Sequence, residues 1–115
     1  MFSGMVIKGK GVGKKLGFPT ANLDTHKDKI NLQTGIYSAR FLLNQRKYRG
    51  ALVFQTEPLT VEVYLIDYKG SDFYGAVLKV NPIQKISEMV VTKTQKQLKE
   101  KIKKDIKKIR GFFAS

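Results

Sequence analysis

The segment from Gly9 to Asn22 reads Gly-Lys-Gly-Val-Gly-Lys-Lys-Leu-Gly-Phe-Pro-Thr-Ala-Asn and carries the densest chemistry in the chain. Gly9, Gly11, Gly13 and Gly17 allow backbone N–H groups to close on an anion, and Lys14 and Lys15 supply neutralising charge. Phosphate is the anion such a loop suits. The segment is not a Walker loop, because Lys8 stands five residues before Gly13 and neither serine nor threonine follows the lysine pair. Nor is it a dinucleotide fingerprint, since Leu16 takes the third glycine's place and Pro19 opposes a following helix. On composition alone, a glycine-rich surface loop is the competing reading.

Thr20 and Asn22 add a hydroxyl and an amide oxygen two residues apart, behind a proline that restrains the backbone. Neutral hard oxygens of this kind suit Mg²⁺, whose other positions are filled by phosphate and water. An Asx or Ser/Thr turn closing the loop would use the same two residues. Glu62 is the single carboxylate in the otherwise uncharged run Val61 to Ile66. There it can take a proton from an attacking alcohol, or it can be a solvated residue on an exposed sheet face. His26 lies among Asp24, Lys27, Asp28 and Lys29 and reads as surface loop, while Asp67 and Asp72 bracket Lys69-Gly70-Ser71 and read as turn residues.

Those groups must be positioned by one domain, since 115 residues provide for a single core. Residues 1–115 are read as that domain, with strands over about 4–91 and a helix over about 94–110. The expected strands are Gly4 to Lys8, Gly35 to Leu43, Lys47 to Phe54, Val61 to Tyr68, Asp72 to Val80 and Ile83 to Val91. The polar breaks Asn44-Gln45-Arg46 and Lys69-Gly70-Ser71 suit hairpins, and in the fourth strand Val61, Val63 and Leu65 alternate with Glu62, Tyr64 and Ile66. Leu98, Ile102, Ile106, Ile109 and Phe113 form one helical stripe, opened by Thr94 and Gln97 as a capping box and stopped by Gly111. The fold class is therefore mainly β: a six-stranded antiparallel Greek-key barrel with a C-terminal amphipathic α-helix.

Composition narrows the function classes. There is no cysteine, which removes disulfides and thiolate metal sites. No apolar run approaches the roughly 18–20 residues of a membrane span and no leader-like segment opens the chain, so a soluble cytoplasmic protein is expected, with no membrane partner. The net charge of +13 raises the question of polyanions. Between Lys93 and Arg110, nine basic residues face two acidic ones, so this helix holds +7 of the +13. A docked terminal helix with a solvated lysine face accounts for that, and nucleic acid is not expected as a partner.

The order of residues also resembles a known family. Gly11-Val-Gly13-Lys-Lys-Leu16-Gly17-Phe18-Pro19-Thr20-Ala21-Asn22-Leu23 closely resembles the signature loop of the riboflavin kinase (flavokinase) family. Thr34-Gly35-Ile36-Tyr37, Val61-Glu62-Val63-Tyr64-Leu65-Ile66, Asp72-Phe73-Tyr74-Gly75 and Leu98-x3-Ile102-x2-Asp105 are similar to its later landmarks and occur in the same order. The resemblance runs from about Gly4 to Arg110. It implies Mg²⁺-dependent transfer of the γ-phosphate of ATP to the ribityl 5′-hydroxyl of riboflavin, yielding FMN and ADP. It also implies that Gly9, Gly11, Gly13, Lys14, Lys15, Gly17 and Thr20 hold the nucleotide phosphates, that Thr20 and Asn22 ligate Mg²⁺, and that Glu62 is the general base. Flavin-binding residues are not assigned. Bacterial members commonly carry an N-terminal FAD synthetase (adenylyltransferase) domain, which the resemblance suggests as a partner in a full-length protein.

Two departures fall on the expected acceptor side. Ser87 stands where the family has an arginine and Thr92 where it has a phenylalanine, and the segment Val53 to Thr60 is short and lacks the family's glycine. A planar, permanently charged donor is thus absent from position 87. The alternatives to a kinase are a non-catalytic basic barrel that binds nucleic acid, and a flavin- or nucleotide-binding barrel without turnover.

Overall fold

Alternation along the strands sorts side chains into an inside and an outside. A computed structural model describes residues 1–7, 21–56, 59–68, 73–89 and 93–114. Its elements are β1 (Phe2–Ile7), β2 (Ala21–Asp24), a 3-10 turn (Lys27–Lys29), β3 (Gly35–Leu43), β4 (Arg46–Thr56), β5 (Leu59–Leu65), β6 (Val77–Ser87) and α1 (Gln95–Ala114). The six strands close into a barrel in the order β1-β2-β5-β4-β3-β6, with every pairing antiparallel. The hairpin-linked β3, β4 and β5, with β6 returning beside β3, form the expected Greek key.

Inward-facing residues fill the barrel. Val6, Leu23, Phe41, Leu52, Phe54, Val63, Leu78 and Val80 are buried there, and Tyr37 joins them while its hydroxyl donates to the Gln33 carbonyl at 2.7 Å. A second apolar cluster lies on the outer face, where Ile36, Ala51 and Ile66 meet Ile109 of α1, flanked by Val53, Tyr64, Ile86 and Phe113. The helix stripe thus seals the outside of β3, β4 and β6 rather than entering the barrel.

Several boundaries depart from the sequence reading. The two strands expected over 72–80 and 83–91 are one strand, β6, which continues through Pro82. Proline survives there because the β3–β6 register shifts between Ser38 and Ala39, so Pro82 sits at an irregularity where a ladder hydrogen bond is dispensable. The sixth strand is instead β2, four residues that directly follow the glycine-rich segment. Val61 to Tyr68 ends earlier, at Leu65, because Asp67 turns with φ of 62°. Asn44 and Gln45 have φ of 50° and 69°, a two-residue turn of the primed type that matches strand twist.

The helix begins as expected but does not stop at Gly111. Gln97 N–H donates to Thr94 Oγ1 at 3.1 Å, which satisfies one orphan donor of the first turn, while Lys93 N–H, just before the cap, donates to Gln97 Oε1 at 2.9 Å. Phe112 and Phe113 follow Gly111 within the helix, and Phe113 packs on the outer cluster, which extends α1 to Ala114. Tertiary burial here overrides the glycine.

Gly50 is the position where the barrel depends on a missing side chain. A Cβ built there would lie 1.8 Å from the backbone oxygen of Tyr64 and 3.2 Å from the Phe41 ring. Strands β4 and β5 approach too closely for any other residue. Gly50→Ala is expected to destabilise the fold by about 2 kcal/mol or more, measured as a fall in the urea midpoint.

Candidate active site

One row of register partners runs across all six strands on the outer face. It reads Ile7, Asn22, Glu62, Val53, Ile36 and Ser87, each opposite the next across an antiparallel pair. Ala21 and Leu23 of β2, and Val61 and Val63 of β5, point into the core. Their alternates Asn22 and Glu62 therefore share the outward face, half-buried, at the centre of the row. Directly opposed residues of this kind have Cα atoms about 4.5–5.5 Å apart. Two residues separated by forty positions in the sequence are thereby neighbours.

The chemistry of that pair is specific. A neutral amide oxygen faces a carboxylate, and both are hard donors of the kind a magnesium ion accepts while retaining several waters. The donor set fits that ion, with Asn22 as the described residue to hold it. Gly9, Gly11, Gly13, Lys14, Lys15, Gly17 and Thr20 lie outside the described residues. The chain enters β2 directly from them, so Asn22 and Glu62 stand at the end of the segment read as the phosphate loop.

The row ends in an ionic cluster that sequence reasoning did not assemble. Ser87 Oγ donates to Asp105 Oδ1 at 2.9 Å, and Lys101 Nζ donates to Ser87 Oγ at 3.1 Å and to Asp105 Oδ2 at 2.5 Å. Asp105 is 4% exposed, so its charge is held among apolar neighbours. A signal existed. Asp105 falls on the helical stripe between Ile102 and Ile109, and Lys101 precedes it by one turn, which is the spacing of a facing pair. Position 87 lacks an arginine, yet a cation reaches it from the helix.

The remaining residues singled out in the sequence stay apart from this row. His26 is exposed, and its carbonyl accepts from Lys29 N–H at 3.0 Å within the 3-10 turn. Asp67 pairs with Arg110 at 3.6 Å. Asp72 and Thr92 lie outside the described residues. Tyr48, Tyr68 and Phe73 pack edge to face on the barrel wall, with ring centroids 5.4 Å and 5.1 Å apart. No helix among the described residues is long and apolar enough to cross a membrane.

The fold is a closed six-stranded antiparallel barrel with one C-terminal helix and with Asn22 and Glu62 paired on its outer face, and comparison with known proteins gives the particular family. The family model Flavokinase, described as riboflavin kinase, matches residues 1–113. The chain belongs to the riboflavin kinase family. It is 34% identical over 114 residues to the RNA-binding riboflavin kinase RibR of Bacillus subtilis, covering 92% of this chain and 48% of that protein. It is 29% identical over 121 residues to a bifunctional riboflavin kinase/FMN adenylyltransferase of the same species, covering 97% of this chain and 38% of the relative. The crystal structure of riboflavin kinase from Trypanosoma brucei superposes with a TM-score of 0.75 at 27% identity, covering 98% of this chain and 76% of that one. The chain thus spans less than half the length of these two bacterial relatives.

The Lys101–Asp105 pair has a direct consequence for stability. Removing the cation leaves a buried carboxylate with Ser87 as its side-chain donor among the described residues, and such an uncompensated charge is costly. Lys101→Met is expected to destabilise the protein by about 3 kcal/mol, and adding Asp105→Asn should recover a large part of that loss. Urea denaturation of the two single variants and the double variant measures both quantities.

Proposed function

We propose that this chain transfers the γ-phosphate of ATP to the ribityl 5′-hydroxyl of riboflavin, giving FMN and ADP. The observation that carries the reading is the pairing of Asn22 with Glu62 on the outer face of a riboflavin kinase-family barrel. Phosphoryl transfer is largely a matter of positioning and charge neutralisation, so a metal-holding residue and a proton acceptor set side by side are the parts it needs. Magnesium, when bound, supplies charge neutralisation on the nucleotide phosphates.

Each residue then has one task. Glu62 orients the ribityl hydroxyl and accepts its proton as the oxygen attacks phosphorus. Asn22 and Thr20 hold the metal by neutral oxygens, which leaves the positive charge of the ion for the phosphates. Gly9, Gly11, Gly13 and Gly17 bring backbone donors to those phosphates, with Lys14 and Lys15 beside them. The half-buried setting of Glu62 between Asn22 and Val53 supports the base role, because a partly shielded carboxylate is held in one orientation toward its proton donor.

The reading extends to the protein's surroundings. Residues 1–115 act as one catalytic domain in the cytoplasm, and an adenylyltransferase domain of the kind named in the bifunctional relatives is its partner in a longer protein. A barrel without turnover is less well supported, since the match to the family extends over nearly the whole chain. The relative named as RNA-binding shares less than half of its own length with this chain, and its name does not assign RNA to the shared half.

The proposal is tested by Glu62→Gln, which preserves size while removing the proton acceptor. FMN formation followed by chromatography should show kcat reduced by about 10²- to 10⁴-fold, with MgATP affinity nearly unchanged. Full activity in that variant would remove Glu62 from the chemistry.

A further inference from the structure

We propose that a second face of the barrel, remote from the Asn22–Glu62 pair, is a docking surface for the phosphate backbone of single-stranded RNA. The proposal does not depend on the kinase reading. The surface is a groove of about 930 Å³ on the outer side of β3, β4 and β6, in which Arg40, Lys47, Arg49 and Lys79 are the cations. Arg40 lies directly opposite Arg49, and the next outward position on β3, Leu42, lies between Lys47 and Lys79. The Arg40–Arg49 pair is four residues along β3 from the row that holds Glu62, or roughly 13 Å.

The arrangement opposes the stability of the free protein. Like charges set directly opposite across an antiparallel pair are destabilising. Among the described residues, none of the four cations forms an ion pair. The one acidic residue lining the groove, Asp67, lies 3.6 Å from Arg110 of the helix instead. Arg40 and Arg49 are both held over the Phe113 ring, with guanidinium carbons 5.6 Å and 5.7 Å from its centroid. Two guanidinium groups converging on one aromatic ring, with no ion-pair partner among the described residues, form a preset anion receptor.

The shape and extent of the charge select the ligand. A concave wall focuses positive potential and does not fit the plane of a bilayer. The cationic surface also continues beyond a single phosphate: Arg110 joins the groove to the exposed Lys107, Lys108, Lys104 and Lys103 of α1. A flexible polyanion with evenly repeated charges can follow such a track. The groove was invisible in the sequence because its cations come from three strands, whereas the conspicuous lysines are all on the helix.

The test uses the whole chain and a fluorescein-labelled 20-mer of uridine, read by fluorescence anisotropy. Four backbone contacts on a single strand give a slope of log affinity on log salt of about −3, so binding should weaken about 50-fold between 50 and 200 mM KCl. The exposed-residue variant Lys47→Glu/Lys79→Glu should bind at least about tenfold more weakly at 50 mM and with a shallower slope, while riboflavin phosphorylation and the circular dichroism spectrum stay unchanged. The helix variant Lys103→Glu/Lys104→Glu should lose less. Unchanged affinity in the strand variant, or a larger loss in the helix variant, overturns the groove as the site. Equally tight binding of polyglutamate, or of vesicles containing phosphatidylserine, overturns RNA as its occupant.

Discussion

Everything proposed for catalysis depends on the register in which β2 pairs with β5. That pairing consists of Ala21 opposite Val63 and Asn22 opposite Glu62. Side chains alternate with a period of two, so a slip by one residue would turn Glu62 into the barrel and Val63 out of it. A slipped arrangement would bury a carboxylate among Leu23, Leu52 and Phe54, at a cost far above that of any single apolar contact. The hydrophobic core thus fixes the placement of the Asn22–Glu62 pair indirectly. It needs Val61, Val63 and Leu65 inside, and Glu62 is held outside as their alternate.

The same logic explains which parts of the molecule were legible in the sequence. The alternation through residues 61–66 is explicit in the sequence and sets Glu62 on the face opposite Val61, Val63 and Leu65. The Gly35 to Leu43 strand and the amphipathic stripe of α1 were equally plain, because period two and period 3.6 cannot be confused over such lengths. Strand β2 was hidden because four residues provide too little pattern, and two of those four, Asn22 and Asp24, are ordinary turn formers. The strands expected over 72–80 and 83–91 leave Asn81 and Pro82 between them, but the register shift beside Ala39 lets one strand pass through Pro82. The count of six strands was therefore right while two of its members were assigned differently. The phosphate loop remains a sequence-based proposal, since Gly9 to Thr20 lie outside the described residues.

Position 87 shows how a departure from family pattern can be compensated at a distance in sequence. An arginine on β6 would carry its charge on the sheet itself. Here the strand offers only the Ser87 hydroxyl, and the charge arrives from Lys101, fourteen residues later, on the helix that covers the same edge. The cation beside Asp105 in this chain is therefore an ammonium and not a guanidinium. An ammonium on a flexible stem makes point contacts, whereas a guanidinium fork can bind a planar partner through two parallel bonds. Asp105 is thus neutralised through a point contact, and no guanidinium fork stands at position 87.

Helix α1 links the two faces of the molecule. Its inner side closes the cluster of Ile36, Ala51 and Ile66 with Ile109, and Asp105 ties it to the end of the Glu62 row through Ser87. Its C-terminal turn carries Phe113 beneath Arg40 and Arg49 and Arg110 beside Asp67. That continuation past Gly111 has a physical cause. A helix ending at Gly111 would leave Phe113 without its place on the outer cluster and the two arginines without the ring that gathers them. Cation–π contacts of this kind contribute about 0.5–1 kcal/mol each at partly exposed sites, which is comparable to the cost of a glycine inside a helix. The helix therefore extends because Phe113 packs on the outer cluster and beneath two guanidinium groups, and the position of those cations is set by packing against the barrel rather than by the lysines that dominate the sequence.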